Sequence, residues 1–139
     1  MNNILITGST GFIGSNLLKY FTKRNKIYII LRKKNPTKNK IFTNKKITKI
    51  IYTNYNDLNK KLQKIKANIV IHCATHYIRK HNFNDIQKLS ESNILFGNII
   101  LENLINMKTK KFINFSSVWE DYNAIKDNSA NLYSAYKKG

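Results

Sequence analysis

The chain has 139 residues and a mass of 16.3 kDa, enough for one compact domain, and 42% hydrophobic with 12% aromatic residues excludes a disordered chain. One proline, five glycines and a single cysteine exclude collagen-like or linker composition, an internal disulfide and a cysteine-based zinc site. The net charge of +18 comes mostly from 22 scattered lysines, which with 21 asparagines and 21 isoleucines reflect A/T-rich codons and not one basic nucleic-acid face.

Met1-Asn2-Asn3 runs straight into apolar residues with no basic leader, and no apolar run approaches ~18 residues, so a cytoplasmic protein without a membrane span is expected. Ile4 to Thr7 reads as a buried strand, and Phe12, Ile13, Leu17, Leu18 and Phe21 recur at helical spacing from Phe12 to Thr22. Ile27 to Leu31 is a second strand, followed by Arg32-Lys33-Lys34 and a polar stretch holding Pro36. Ile47 to Tyr52 is a third strand, and Asp57 to Ile65 a short helix opened by an acid. Ile69 to Cys73 is a fourth strand. From Asp85 to Met107, apolar residues at 86, 89, 94, 95, 99, 101, 104 and 105 predict one long helix burying a wide stripe. Lys111 to Phe115 is a fifth strand, and a further helix begins near Leu132.

Apolar strands alternating with helices predict an α/β fold, a doubly wound parallel sheet covered on both faces. The chain stops at Lys137-Lys138-Gly139, a turn or two into its last helix, so residues 1–139 read as one domain interrupted before any substrate region. Directly after the first strand stands Thr7-Gly8-Ser9-Thr10-Gly11-Phe12-Ile13-Gly14. Gly8 permits a tight turn, Gly11 lets backbone approach a pyrophosphate, and Gly14 lets the helix pack close to the strand. The helix N-terminus then offers unpaired N–H groups to an anion. The spacing departs from the commoner G-x-G-x-x-G fingerprint, and an ordinary strand-to-helix turn is the alternative.

This motif resembles that of the extended short-chain dehydrogenase/reductase superfamily, in particular the NAD(P)-dependent epimerase/dehydratase family that acts on nucleotide sugars. The resemblance runs from Ile4 to Lys137. It implies a Rossmann fold, a bound nicotinamide dinucleotide with Thr10, Gly11, Phe12 and Ile13 along its pyrophosphate, a nucleotide-sugar substrate, and a homodimer formed through long helices. An acid at the end of the second strand would select NAD, whereas this strand ends in Arg32, Lys33 and Lys34, so NADP(H) is expected over NAD(H). Asp57 and Leu58 resemble the family's pair at the adenine, although Asp57 also suits a helix start. Ala74 and Thr75 are the family's small residues beside the cofactor. His72, in an apolar run, reads as a satisfied core histidine, while His76 and Tyr77 are candidates to face nicotinamide or substrate. Asn93 matches a family asparagine near the active site, or is one more asparagine among 21. No histidines pair with an acid at metal-ligand spacing, so no metal is assigned.

Tyr133-Ser134-Ala135-Tyr136-Lys137 puts a phenol and an ammonium at i and i+4 on one helix face. A phenol with a reference pKa of ~10 exchanges protons poorly at neutral pH, and a neighbouring ammonium favours its phenolate. The fifth strand ends in Ser116-Ser117, and Ser117 matches the family's catalytic hydroxyl, which would polarise a substrate carbonyl while Tyr133 moves the proton. Lys137 would also hold the nicotinamide ribose. The stretch from Phe112 to Lys137 is most similar to the branch of nucleotide-sugar 4-ketoreductases, including CDP-sugar enzymes. Val118 and Trp119 occupy the places where family dehydratases carry acids, with Glu120 and Asp121 following later. The expected activity is NADPH-dependent reduction of a 4-keto sugar. A non-catalytic dinucleotide-binding fragment and a basic nucleic-acid-binding module are the second and third readings.

Overall fold

The computed structural model describes residues 1–33, 40–126 and 129–138. Lys34 and Pro36, singled out above, and Gly139 at the end lie outside these. The chain divides into two compact units, one of residues 1–74 and 99–114, the other of 75–98 and 115–139.

The first unit is built on five strands: β1 (Asn3–Thr7), β2 (Lys26–Arg32), β3 (Ile47–Tyr52), β4 (Ile69–His72) and β5 (Lys111–Asn114). They form one wholly parallel sheet in the order β3-β2-β1-β4-β5. The chain builds outward from β1 through β2 to β3, then returns so that β4 pairs with the other side of β1. That reversal is the switch point at which open α/β sheets form a ligand crevice beyond the strand ends.

Central strands are covered on both faces, so β1 buries Ile4, Leu5, Ile6 and Thr7 in succession. The edges behave otherwise. In β3 only Ile47, Ile50 and Tyr52 are buried, and β5 has no fully buried residue. The expectation of uniformly covered strands is thus corrected at both edges, where each strand has one neighbour.

Helix α1 (Phe12–Phe21) buries Gly14 and Leu18, while Phe12 and Ile13, expected on its core face, are exposed. Helix α2 (Tyr55–Leu62) starts two residues before the expected Asp57 because Asn54 is its cap: the Asp57 N–H donates to Asn54 Oδ1 at 2.9 Å. Leu58 and Leu62 fill its buried face.

The expected single helix from Asp85 is several pieces. A capping box between Asn82 and Asp85 opens a 3₁₀ turn (Phe83–Asp85), followed by α3 (Ile86–Ser90), a π turn (Glu91–Leu95) and α4 (Phe96–Glu102). The buried residues are Leu89, Phe96, Ile100, Asn103 and Met107, whereas Ile86, Leu95, Leu101 and Ile105 are exposed. The wider π turn resets which face points inward, a change that reading at a constant 3.6 residues per turn misses. A 3₁₀ helix (Val118–Ala124) and α5 (Leu132–Lys138) complete the second unit. Among the described residues, no helix is long and apolar enough to cross a membrane.

Candidate active site

The glycine loop lies at the switch point of the first unit. Gly8 has φ +65°, and a Cβ there would come within 2.6 Å of the Ala74 backbone nitrogen at the end of β4. A Cβ on Gly14 would come within 2.3 Å of the Gly8 carbonyl oxygen. Both glycines are therefore required by the fold itself. Gly11 differs: its φ is −80°, and its added Cβ would meet just one atom within 4 Å, the Gly8 oxygen at 3.4 Å. Gly11 also caps α1 with no side-chain bond to the first-turn N–H groups and no acid in that turn. An exposed, uncapped helix start beside a position lacking Cβ suits the pyrophosphate of a dinucleotide. Thr10, Phe12 and Ile13 are exposed beside it.

Below the loop, the buried Thr7 hydroxyl joins β1 to β4. The Ala74 N–H donates to Thr7 Oγ1 at 3.1 Å, and the same oxygen lies 2.9 Å from His72 Nδ1. His72 also stacks on Phe112 with ring centroids 6.2 Å apart, and so is the core histidine expected from the sequence. Arg32 ends β2 exposed, its Nε donating to the Tyr52 hydroxyl at 3.0 Å. Asp57 Oδ2 accepts from Lys61 Nζ at 2.8 Å and from the Thr53 N–H at 3.1 Å. The Lys61 ammonium first, and the Thr53 amide second, hold the Asp57 carboxyl below its ordinary range. Asp57 is thus a helix-start residue whose Oδ2 is engaged. Leu58 is fully buried and its N–H donates to the Asn54 carbonyl, so its side chain packs in the core.

The second unit contains Thr75, Asn93, Ser117, Tyr133 and Lys137. Asn93, in the π turn, brackets the peptide of His76: Oδ1 accepts from its N–H at 2.7 Å, and Nδ2 donates to its carbonyl at 3.0 Å. Asn93 Oδ1 also lies 3.2 Å from Thr75 Oγ1. Both polar atoms of Asn93 serve this loop, so a direct cofactor contact by Asn93 competes with the bracket.

Ser117 and Glu120 form a capping box at the start of the 3₁₀ helix. The Ser117 N–H donates to Glu120 Oε1 at 3.0 Å, and the Trp119 N–H donates to Ser117 Oγ at 3.2 Å. The S-x-x-E spacing that signals it stands in the sequence at Ser117 and Glu120. Because Ser117 Oγ accepts in this box, its proton remains available to a substrate oxygen.

On α5, the Tyr133 ring is largely buried and meets Tyr77 edge to face, with centroids 5.0 Å apart at 84°. Lys137 Nζ donates to the Phe115 carbonyl at 2.7 Å, anchoring the ammonium just beyond β5. Ser90 Oγ donates to the Tyr136 hydroxyl at 3.2 Å, tying α3 to α5.

A glycine-rich strand-to-helix turn on a doubly wound parallel sheet defines an α/β protein of the Rossmann class. The chain matches the NAD dependent epimerase/dehydratase family over residues 4–137, and it belongs to that family. It is 36% identical to a dTDP-D-glucose 4,6-dehydratase of Dictyostelium discoideum over 94% of this chain and 32% of that protein. It is 32% identical to a CDP-abequose synthase of Salmonella muenchen over 86% of this chain and 39% of that one. Among solved structures, a mutant UDP-glucuronic acid 4-epimerase of Bacillus cereus, in complex with UDP-4-deoxy-4-fluoro-glucuronic acid and NAD, superposes with TM-score 0.75 at 25% identity, covering 98% of this chain and 49% of that one. The Bordetella bronchiseptica enzyme WbmH, in complex with NAD+, shares the fold with TM-score 0.81 at 17% identity, over 99% of this chain and 50% of that one. The chain thus spans about a third of the curated relatives it matches.

Proposed function

We propose that the protein reduces the 4-keto group of a nucleotide-diphosphate sugar, using Ser117, Tyr133 and Lys137 with NADPH as the reductant. Bound NADPH supplies the hydride. Thr10, Gly11, Phe12, Ile13 and the α1 N-terminus would hold its pyrophosphate, and Arg32, at the end of a strand without an acid, supports NADP(H) over the NAD of the solved relatives. Ala74 and Thr75 follow β4 as the small residues that let the dinucleotide pass.

The observation that carries this reading is the state of three side chains in the second unit. Ser117 Oγ accepts from the Trp119 N–H and keeps its proton for a carbonyl oxygen. The Tyr133 hydroxyl makes no hydrogen bond among the described residues and is the proton donor to the forming alkoxide. Lys137, anchored on the Phe115 carbonyl, would hold the nicotinamide ribose. Dehydration is less well supported despite the dehydratase name of one relative. Val118 and Trp119 directly follow Ser117, Glu120 caps its N–H, and Asp121 pairs with Lys138 at 2.7 Å.

The test is NADPH consumption with CDP- and dTDP-linked 4-keto-6-deoxyhexoses. Tyr133→Phe should lower kcat by about a hundredfold or more. Unchanged turnover in that variant would overturn the mechanism.

A further inference from the structure

The Tyr133 phenol projects from a short helix, which fixes its Cα but leaves the ring plane to its neighbours. That plane is set by Tyr77, whose ring stands edge to face against Tyr133 at 5.0 Å between centroids and 84° between planes. Tyr77 is itself 53% exposed, whereas Tyr133 is 9% exposed. So exposed a ring keeps one orientation only where its backbone is held. The holding group is one residue upstream: the Asn93 amide grips the His76 peptide at both its N–H and its carbonyl, at 2.7 and 3.0 Å. Asn93 lies in the π turn of residues 91–95, an insertion that turns often carry where a side chain must be aimed.

We propose that Tyr77 is a positioning residue for Tyr133, and that Asn93 keeps it in place by bracketing His76. The proposal rests on the reading of Tyr133 as proton donor and adds to it a residue that never touches the reacting atoms. The edge-to-face contact directs the positive ring edge of one tyrosine at the negative face of the other, which favours one ring plane over rotated alternatives. Asn93 acts at one remove: without it, the 75–77 segment loses its two-point attachment and Tyr77 no longer holds one rotamer.

The experiment compares Tyr77→Leu, Tyr77→Phe and Asn93→Ala in the intact protein, with Tyr133→Phe as reference and NADPH plus CDP-4-keto-6-deoxyglucose as the assay pair. Tyr77→Leu should lower kcat about fivefold, with the NADPH dissociation constant and KM little changed, because the ring pair is worth about one such factor. Tyr77→Phe keeps the ring and should recover most of that loss. Asn93→Ala leaves both rings in place and should reproduce the kcat defect, keeping the question answerable where Tyr77→Leu does not fold. A merely structural role would shift thermal stability without this split between kcat and KM, and without recovery by phenylalanine. Wild-type kcat in Tyr77→Leu or Asn93→Ala, with Tyr133→Phe inactive, overturns the positioning role. Full turnover in Tyr133→Phe overturns the underlying reading instead.

Discussion

At the scale of single residues, the glycine loop separates folding from binding. Gly14→Ala forces a Cβ against the Gly8 oxygen at 2.3 Å, backbone against backbone, with no flexible side chain to give way. It should cost about 2 kcal/mol or more in urea unfolding, as overpacking does. Gly11→Ala meets a single atom at 3.4 Å and keeps an ordinary φ, so its stability cost should be about 1 kcal/mol or less. Its effect should appear in dinucleotide affinity, weakened about tenfold by fluorescence titration with NADPH. If Gly11→Ala binds NADPH as tightly as wild type, the loop does not cradle a pyrophosphate. Thr7 belongs to the folding side. Its fully buried hydroxyl is the partner of the Ala74 N–H, so Thr7→Val leaves a polar group unmade at the switch point, at a cost of about 1–3 kcal/mol in the same unfolding assay.

At the scale of elements, helix starts carry the local information. Asn54 caps α2, and Asp57 then reaches back to the Thr53 N–H while pairing with Lys61. Asp57 titrates below its ordinary range in the folded chain, so its contribution is present at neutral pH, above the unfolded value of ~3.9. It is lost as pH falls through the lower folded value. Urea midpoints followed as the pH is lowered from neutral to below ~3.9 should therefore fall more steeply for wild type than for Asp57→Asn. Parallel curves would show that the carboxylate contributes nothing to α2. The same capping logic was legible at Ser117-x-x-Glu120 and Asn82-x-x-Asp85, each a polar residue with an acid three places on. The π turn was not legible, because it gives no pattern of its own and appears only as a reset of the buried face between Leu89 and Ile100.

At the scale of the whole molecule, the β–α alternation and the family match agree on a Rossmann-class sheet, and the native chain's mass tests how much of the proposed chemistry follows. An intact mass for the native protein well above 16.3 kDa should accompany turnover with sugar nucleotides; a mass of 16.3 kDa should accompany weak dinucleotide binding and no turnover. The sequence by itself determined the strands, the glycine loop, and the placing of Tyr133 and Lys137 four residues apart on one helix. All of these are local: apolar runs, a turn that needs glycine, and a helical repeat are written in neighbouring residues. The strand order, the exposure of the edge strands β3 and β5, and the burial of Leu58 were decided by tertiary structure. So were the Thr7–His72 contact across 65 positions, the Asn93 bracket across 17, and the Tyr77–Tyr133 pair. The physical reason is that hydrogen bonds and ring contacts between distant segments depend on where the sheet and helices bring those segments, and no periodicity in the chain records that meeting.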